Sequence, residues 1–165
     1  MKTLILLWFA AFMIWISINA GIIIKAGLQS SVSKGYTVIK NGILFVTGMW
    51  AMCFCIFLLS ILQGDVNPLI FFSCGFLMFS STSLDNAGNN LAKRVHGVST
   101  EVGSILGFVY LIFVIKFWYI IIALELVTAG YYYFFSKDFR STTFVENISF
   151  FWFMFAILLH IIGII

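Results

Sequence analysis

Four stretches of this chain, residues 4–24, 43–62, 68–83 and 148–165, are almost wholly apolar. Each meets or approaches the about 20 residues that a helix needs to cross about 30 Å of hydrocarbon. A segment in lipid must satisfy its backbone polar groups internally, so these stretches are expected to be helices. Of the 165 residues, 62% are hydrophobic and only 9% charged, against about a quarter charged in an ordinary soluble domain. The expected fold class is therefore all-α: a polytopic transmembrane helix bundle forming one domain over residues 1–165. Nine Lys+Arg, six Asp+Glu and two His are too few for a nucleic-acid surface or a conventional hydrolytic site.

Residues 102–135 are harder to assign. As one helix they would be about 51 Å long, too long for one crossing without a steep tilt. Lys116 lies beside Trp118 and Tyr119, a cation and aromatic pair of the kind found at a membrane interface. We therefore split the segment there, into a fourth span at residues 97–115 and a fifth at 118–135. Lys and Arg concentrate in cytoplasmic loops, which gives an independent check. Six spans put Lys25, Lys34, Lys40, Lys93, Arg94, Lys137 and Arg140 on one side, with Lys2 and Lys116 on the other. Five spans would leave a weaker asymmetry and strand Lys116 in the bilayer. Six spans are preferred and five are the alternative. Both termini are then non-cytoplasmic, with cytoplasmic loops at 25–42, 84–96 and 136–147. The membrane expected is a bacterial inner membrane or an equivalent energy-coupled one. Lys2 and the apolar run to Ile18-Asn19-Ala20 imitate a signal peptide, and we expect this segment to remain as the first span.

Cys53, Cys55 and Cys74 all lie in apolar runs. They offer neither a disulfide framework nor a zinc spacing and read as small buried hydrophobes. The richest polar stretch runs from Asp85 through Lys93 and Arg94 to His96, followed by Ser99, Thr100 and Glu101. Asp85, His96 and Glu101 suit acid/base chemistry, and Lys93 with Arg94 suits a head-group phosphate. The bland alternative is a solvated loop with basic residues for topology and Ser99 or Thr100 capping the next helix.

Glu125 and His160 lie inside expected spans, where ionisable groups are expensive and suggest function by default. Glu125 comes about 10 Å after Trp118, and His160 about 18 Å after a helix start at Ile148. Those depths would let the two pair as a proton relay or a cation site, the bland alternative being a hydrogen bond from Glu125 to a neighbouring helix. A bis-histidine haem is not expected, since His96 and His160 sit at different depths and cannot meet one iron. No cofactor or metal is expected. Ser99, Gly103 and Gly107 recur every four residues on one helix face, a spacing that admits a second backbone, and intramolecular packing is preferred to a homodimer seam.

The run Gly75-Phe76-Leu77-Met78-Phe79, then Asp85, a short polar loop and His96-Gly97 opening the next apolar span, resembles the middle of a six-span prokaryotic membrane family catalogued as domain of unknown function 998. The resemblance extends to the long loop at 27–41 and to Glu146 ahead of a Trp-containing last helix. Where that family has a proline before the acidic residue, this chain has Ser83-Leu84-Asp85. The resemblance implies six spans and makes Asp85 and His96 the positions to watch. It implies no activity.

The leading functional expectation is a non-enzymatic accessory, regulatory or protective membrane protein that packs against other membrane components. Its expected partners are membrane lipids and either other membrane protein subunits or further copies of the chain in a homo-oligomer, and no nucleic acid. The alternative is a small carrier or channel using Glu125 and His160. Against it stands the position of Pro68 at a span edge, since transporter helices tend to break near the midplane. An intramembrane enzyme using Asp85, His96 and Glu101 ranks last, because no nucleophile or metal set completes it.

Overall fold

The computed structural model describes residues 1–27, 42–64, 67–82, 90–114, 118–135 and 141–163. They form six helices and no strand: α1 (Lys2–Ala26), α2 (Gly42–Gln63), α3 (Pro68–Thr82), α4 (Asn90–Val114), α5 (Trp118–Phe135) and α6 (Ser141–Ile161). Three of them, over Lys2–Lys25, Ile43–Gln63 and Asn90–Phe113, are long and apolar enough to cross a membrane. The outer surface is correspondingly apolar. Ile24, Ile43, Phe113, Val127 and Phe134 are among many large hydrophobic side chains turned outward, a surface that would aggregate in water.

The split at Lys116 has its counterpart in the fold, for α4 ends at Val114 and α5 starts at Trp118. Two expected boundaries move. Helix α4 begins at Asn90 rather than 97, and α6 at Ser141 rather than 148. Hydropathy locates the hydrocarbon-depth part of a helix, but the backbone ladder runs on through the polar interface, where each added residue still completes a hydrogen bond. Thr100 is consequently mid-helix: its hydroxyl donates to the His96 carbonyl one turn back at 2.8 Å and does not cap.

The α2–α3 junction follows from its residues. Gly64 ends α2 at φ 81, a left-handed conformation that glycine adopts freely. Asn67 then caps α3, its side-chain oxygen accepting from the Leu69 N–H at 2.9 Å. Pro68 takes the first helical position, where its missing N–H costs nothing.

The pairs α2–α3, α3–α4 and α1–α6 run antiparallel. Trp50 of α2 reaches Met78 of α3, and Phe57 meets Phe71 further along. Ser73 and Ser80 of α3 meet Gly103 and Thr100 of α4. Trp8 and Trp15 of α1 bond to Met154 and Asn147 of α6. Extensive packing of α1 on α2, α2 on α3 and α3 on α4 is thus closed by shorter contacts of α6 with both α4 and α1. The result is a ring of five helices, with α5 outside it, held mainly by α6.

Candidate functional site

The ring frames an open cavity of ≈ 620 Å³, within the roughly 300–1,000 Å³ typical of small-molecule sites, and its lining residues Glu101, Ser104 and Ile105 are exposed. Each wall repeats at helical spacing. From α2 come Phe45, Met49, Met52, Cys53 and Ile56; from α3 come Ile70, Ser73, Cys74, Leu77, Ser80 and Ser81. Helix α4 supplies His96, Thr100, Glu101, Gly103, Ser104 and Gly107, while Trp15, Glu146, Ser149, Phe150 and Phe153 close the chamber from α1 and α6. Cysteines 53 and 74 are buried, as expected, but on facing helices and against the chamber.

The polar groups gather toward one end, where α3 finishes and α4 and α6 begin. Lys25, Lys93 and Arg94 lie at the same end, which we call the basic end. Here a directed hydrogen-bond chain joins α3 to α4. Thr100 Oγ1 donates to the His96 carbonyl, so the 2.6 Å contact between the two hydroxyls has Ser80 Oγ as donor. The Ser80 carbonyl, 3.0 Å from His96 Nδ1, can only accept, which places a proton on Nδ1. Ser80 Oγ lies at the same 3.0 Å from Nδ1 and shares that proton. The histidine is thereby fixed in orientation beside the chamber.

On the opposite wall α1 and α6 are joined by a second network. Trp15 Nε1 donates to Asn147 Oδ1 at 2.9 Å, and Asn147 Nδ2 donates to Asn19 Oδ1 at 3.1 Å. Asn19 Nδ2 returns to the Trp15 carbonyl at 2.9 Å. Trp15 also stacks on Phe150 with ring centroids 4.5 Å apart. These bonds fix two aromatic faces of the chamber wall.

The expected site residues are distributed unequally. His96 and Glu101 line the chamber. Lys93 and Arg94 are exposed on the first turns of α4, outside the lining, and Asp85 lies outside the described residues. Lys116, on which the split of the long segment rests, also lies outside them. Ser99 is buried. Gly103 packs against Ser73 and Leu77 of α3, and Gly107 faces Ser73 and Phe153.

Glu125 and His160 are not brought together. Glu125 Oε1 accepts from Ser149 Oγ, and Oε2 is buried without a hydrogen-bond partner among the described residues. His160 stands eleven residues beyond Ser149 on α6, about 16 Å along the axis. Because α6 starts at Ser141 rather than 148, Ser149 comes level with Glu125 and His160 lies toward the far end. Glu125 is no part of the chamber lining, although its partner Ser149 is.

The chamber itself was missed in sequence. Its signal was present as a face of small, sulfur-bearing and aromatic residues recurring at three- and four-residue steps on α2, α3 and α4. It was masked because these helices are apolar nearly all round, so the inward face does not stand out from the lipid-facing one. Compared with family models, curated proteins and solved structures, the chain matches none.

Proposed function

We propose that this is a six-span integral membrane protein that binds a small lipophilic molecule between its helices, without covalent chemistry. The observation that carries the reading is the ≈ 620 Å³ chamber inside the five-helix ring. A concave, mostly apolar pocket of this size between helices is the usual form of a small-molecule site in a bundle. The apolar walls suit a ligand drawn from the bilayer. In this reading the basic end faces the cytoplasm, both termini face away from it, and the membrane is a bacterial inner membrane or its equivalent.

A second reading, an accessory or regulatory component that packs against other membrane proteins, has one observation in its favour. Helix α5 is held mainly by α6 and leaves Leu126, Val127, Tyr131 and Phe134 exposed. A partner helix could cover that face as well as lipid does.

A filling variant separates the two. Cys53 is fully buried and lines the chamber, so Cys53→Trp places an indole in the space a ligand would occupy. For protein in nanodiscs, a neutral environment-sensitive dye is expected to bind saturably at one site per chain, about ten-fold or more weakly in Cys53→Trp. Circular dichroism reports on folding, and Cys74→Trp, from the buried α3 wall, provides a second filling variant. Absence of saturable binding in the wild type, or equal binding in folded filled variants, would overturn the ligand-binding reading.

A further inference from the structure

The walls of the chamber differ in what lies behind them. On α2 and α3 the lining side chains Met52, Cys53, Ile56, Ile70, Ser73 and Cys74 are buried. On α4, Glu101, Ser104 and Ile105 line the same space and are exposed, Ile105 by 61%. Helix α4 packs extensively on α3 but touches α5 and α6 only briefly, which leaves this side of it uncovered. The chamber therefore opens sideways. Glu101 to Ile105 lie about 16 to 22 Å from the start of α4, near the middle of a helix about 37 Å long. Since α4 is long and apolar enough to cross a membrane, an opening at that level meets hydrocarbon rather than water.

The length of the chamber narrows what can enter by that route. It runs along α4 from His96 to Phe108, about 18 Å. Register fixes its inner end: Gly107 meets Ser73, and Phe57 meets Phe71, which brings Ile56, Ile70 and Phe108 to about one level. The acyl chains of one leaflet span half of about 30 Å of hydrocarbon. The chamber thus matches one extended acyl chain, with its polar end toward the head groups and its inner end uncharged.

Charge at the outer end says which head group fits. Arg94, Val98, Glu101 and Ile105 follow one another at steps of four, three and four, so they share a face of α4, and all four are exposed. Lys93 is exposed beside Arg94. Two adjacent cations near the start of a spanning helix suit a lipid phosphate, which arginine can hold by paired hydrogen bonds. Arg94 stands about 16 Å along the axis from Ile105, so a phosphate held there brings its own acyl chain alongside the opening.

We propose that the chamber's ligand is a phospholipid of the basic-end leaflet. One acyl chain enters sideways past Glu101, Ser104 and Ile105 and lies between the helices as far as Ile56 and Ile70. The phosphate rests on Lys93 and Arg94, and the second chain stays in the bilayer. This rests on the ligand-binding reading above and adds the class, the orientation and the entry side of what is bound.

A phosphatidylglycerol carrying a photoactivatable diazirine near the end of one acyl chain tests it, beside a diacylglycerol with the same two chains. Each is added to the protein in a nonionic detergent and irradiated, and the adducts are mapped by mass spectrometry. Ile56 and Ile70 are only 5% and 2% exposed, so surrounding lipid cannot label them, whereas Phe54 and Phe71 are 56% and 55% exposed and report surrounding lipid. Phosphatidylglycerol is expected to label Ile56 and Ile70 about ten-fold or more efficiently than diacylglycerol does, given two cations at the head group. The double variant Lys93→Gln/Arg94→Gln should bring it down to the diacylglycerol level, and Cys53→Trp should remove the inner adducts while Phe54 and Phe71 remain labelled.

Adducts confined to outward residues, in a protein that still binds the neutral dye saturably, would overturn the phospholipid assignment and leave a ligand chamber in place. Equal inner labelling by the two probes, or inner labelling by phosphatidylglycerol that is undiminished in the double variant, would overturn the phosphate contact and with it the proposal. Absence of both inner adducts and saturable dye binding would overturn the ligand-binding reading as well.

Discussion

Replacing Gly103 by leucine is expected to drive α3 away from α4 and to destabilise the fold by more than about 3 kcal/mol, beyond the usual 1–3 kcal/mol of an overpacked site. A Cβ at this position would lie 2.9 Å from Leu77 Cγ, 3.1 Å from Leu77 Cδ2 and 3.2 Å from the Ser73 carbonyl oxygen. Leu77 can change rotamer, but the Ser73 oxygen belongs to the backbone, so relief requires the helix to move. That movement would break the 2.7 Å bond from Ser73 Oγ to the Gly103 carbonyl and pull Ser80 from His96 and Thr100. Gly97, on the same helix, has nothing within 4 Å of an added Cβ. Gly97→Ala should therefore be neutral or stabilising by up to ~1 kcal/mol, through helix propensity alone. Unfolding in mixed micelles, followed by circular dichroism, measures both. Equal stability of the two variants would mean that α3 and α4 do not cross at Gly103.

The second large effect is expected at Asn147, which joins α1 to α6 and so closes the ring. Substitution by leucine removes the acceptor of the Trp15 indole N–H and the donor to Asn19 Oδ1. Asn19 is 8% exposed, and hydrocarbon supplies no water to replace the lost partner. Leaving a buried polar group unsatisfied costs about 1–3 kcal/mol, so two such groups set an expected loss of about 2–5 kcal/mol. The loss should fall on the α1–α6 seam and weaken ligand retention along with stability. Thr47→Val is the contrasting change. The Thr47 hydroxyl is exposed and donates only to carbonyls of its own helix, Ile43 at 2.7 Å and Leu44 at 3.3 Å. Its replacement should stay within about 0.5 kcal/mol. The same unfolding assay compares them, and an Asn147→Leu protein as stable as Thr47→Val would contradict ring closure through this network.

The elements themselves were largely legible, because a long apolar run with few breakers has one good conformation in lipid. Even the division at Lys116 could be read, from a cation and two aromatics in an otherwise apolar stretch. The starts of α4 and α6 could not, since Asn90, Lys93 and Arg94 are polar and still helical, and hydropathy measures depth in hydrocarbon rather than backbone pairing. The site was legible only in fragments. His96 and Glu101 were singled out for their chemistry, and both line the chamber. Glu146 entered the sequence reading only as a point of resemblance and turns out to line the opposite wall. Glu125 and His160 attracted attention because charge is costly in a membrane, but cost alone does not say which partner meets it. That depended on the register of α6 against α5, which no single-helix pattern contains. The five-helix ring is likewise a property of which helices touch, and α5 interrupts the chain order by standing outside it.

Native mass spectrometry of the protein released gently from its own membrane tests the central claim most directly, because it reads copy number, protein partners and retained small molecules together. The account predicts one small lipophilic adduct per chain, retained by the wild type and lost from Cys53→Trp. A bare chain, or a fixed heteromeric mass with no small molecule attached, would contradict it and favour the accessory reading.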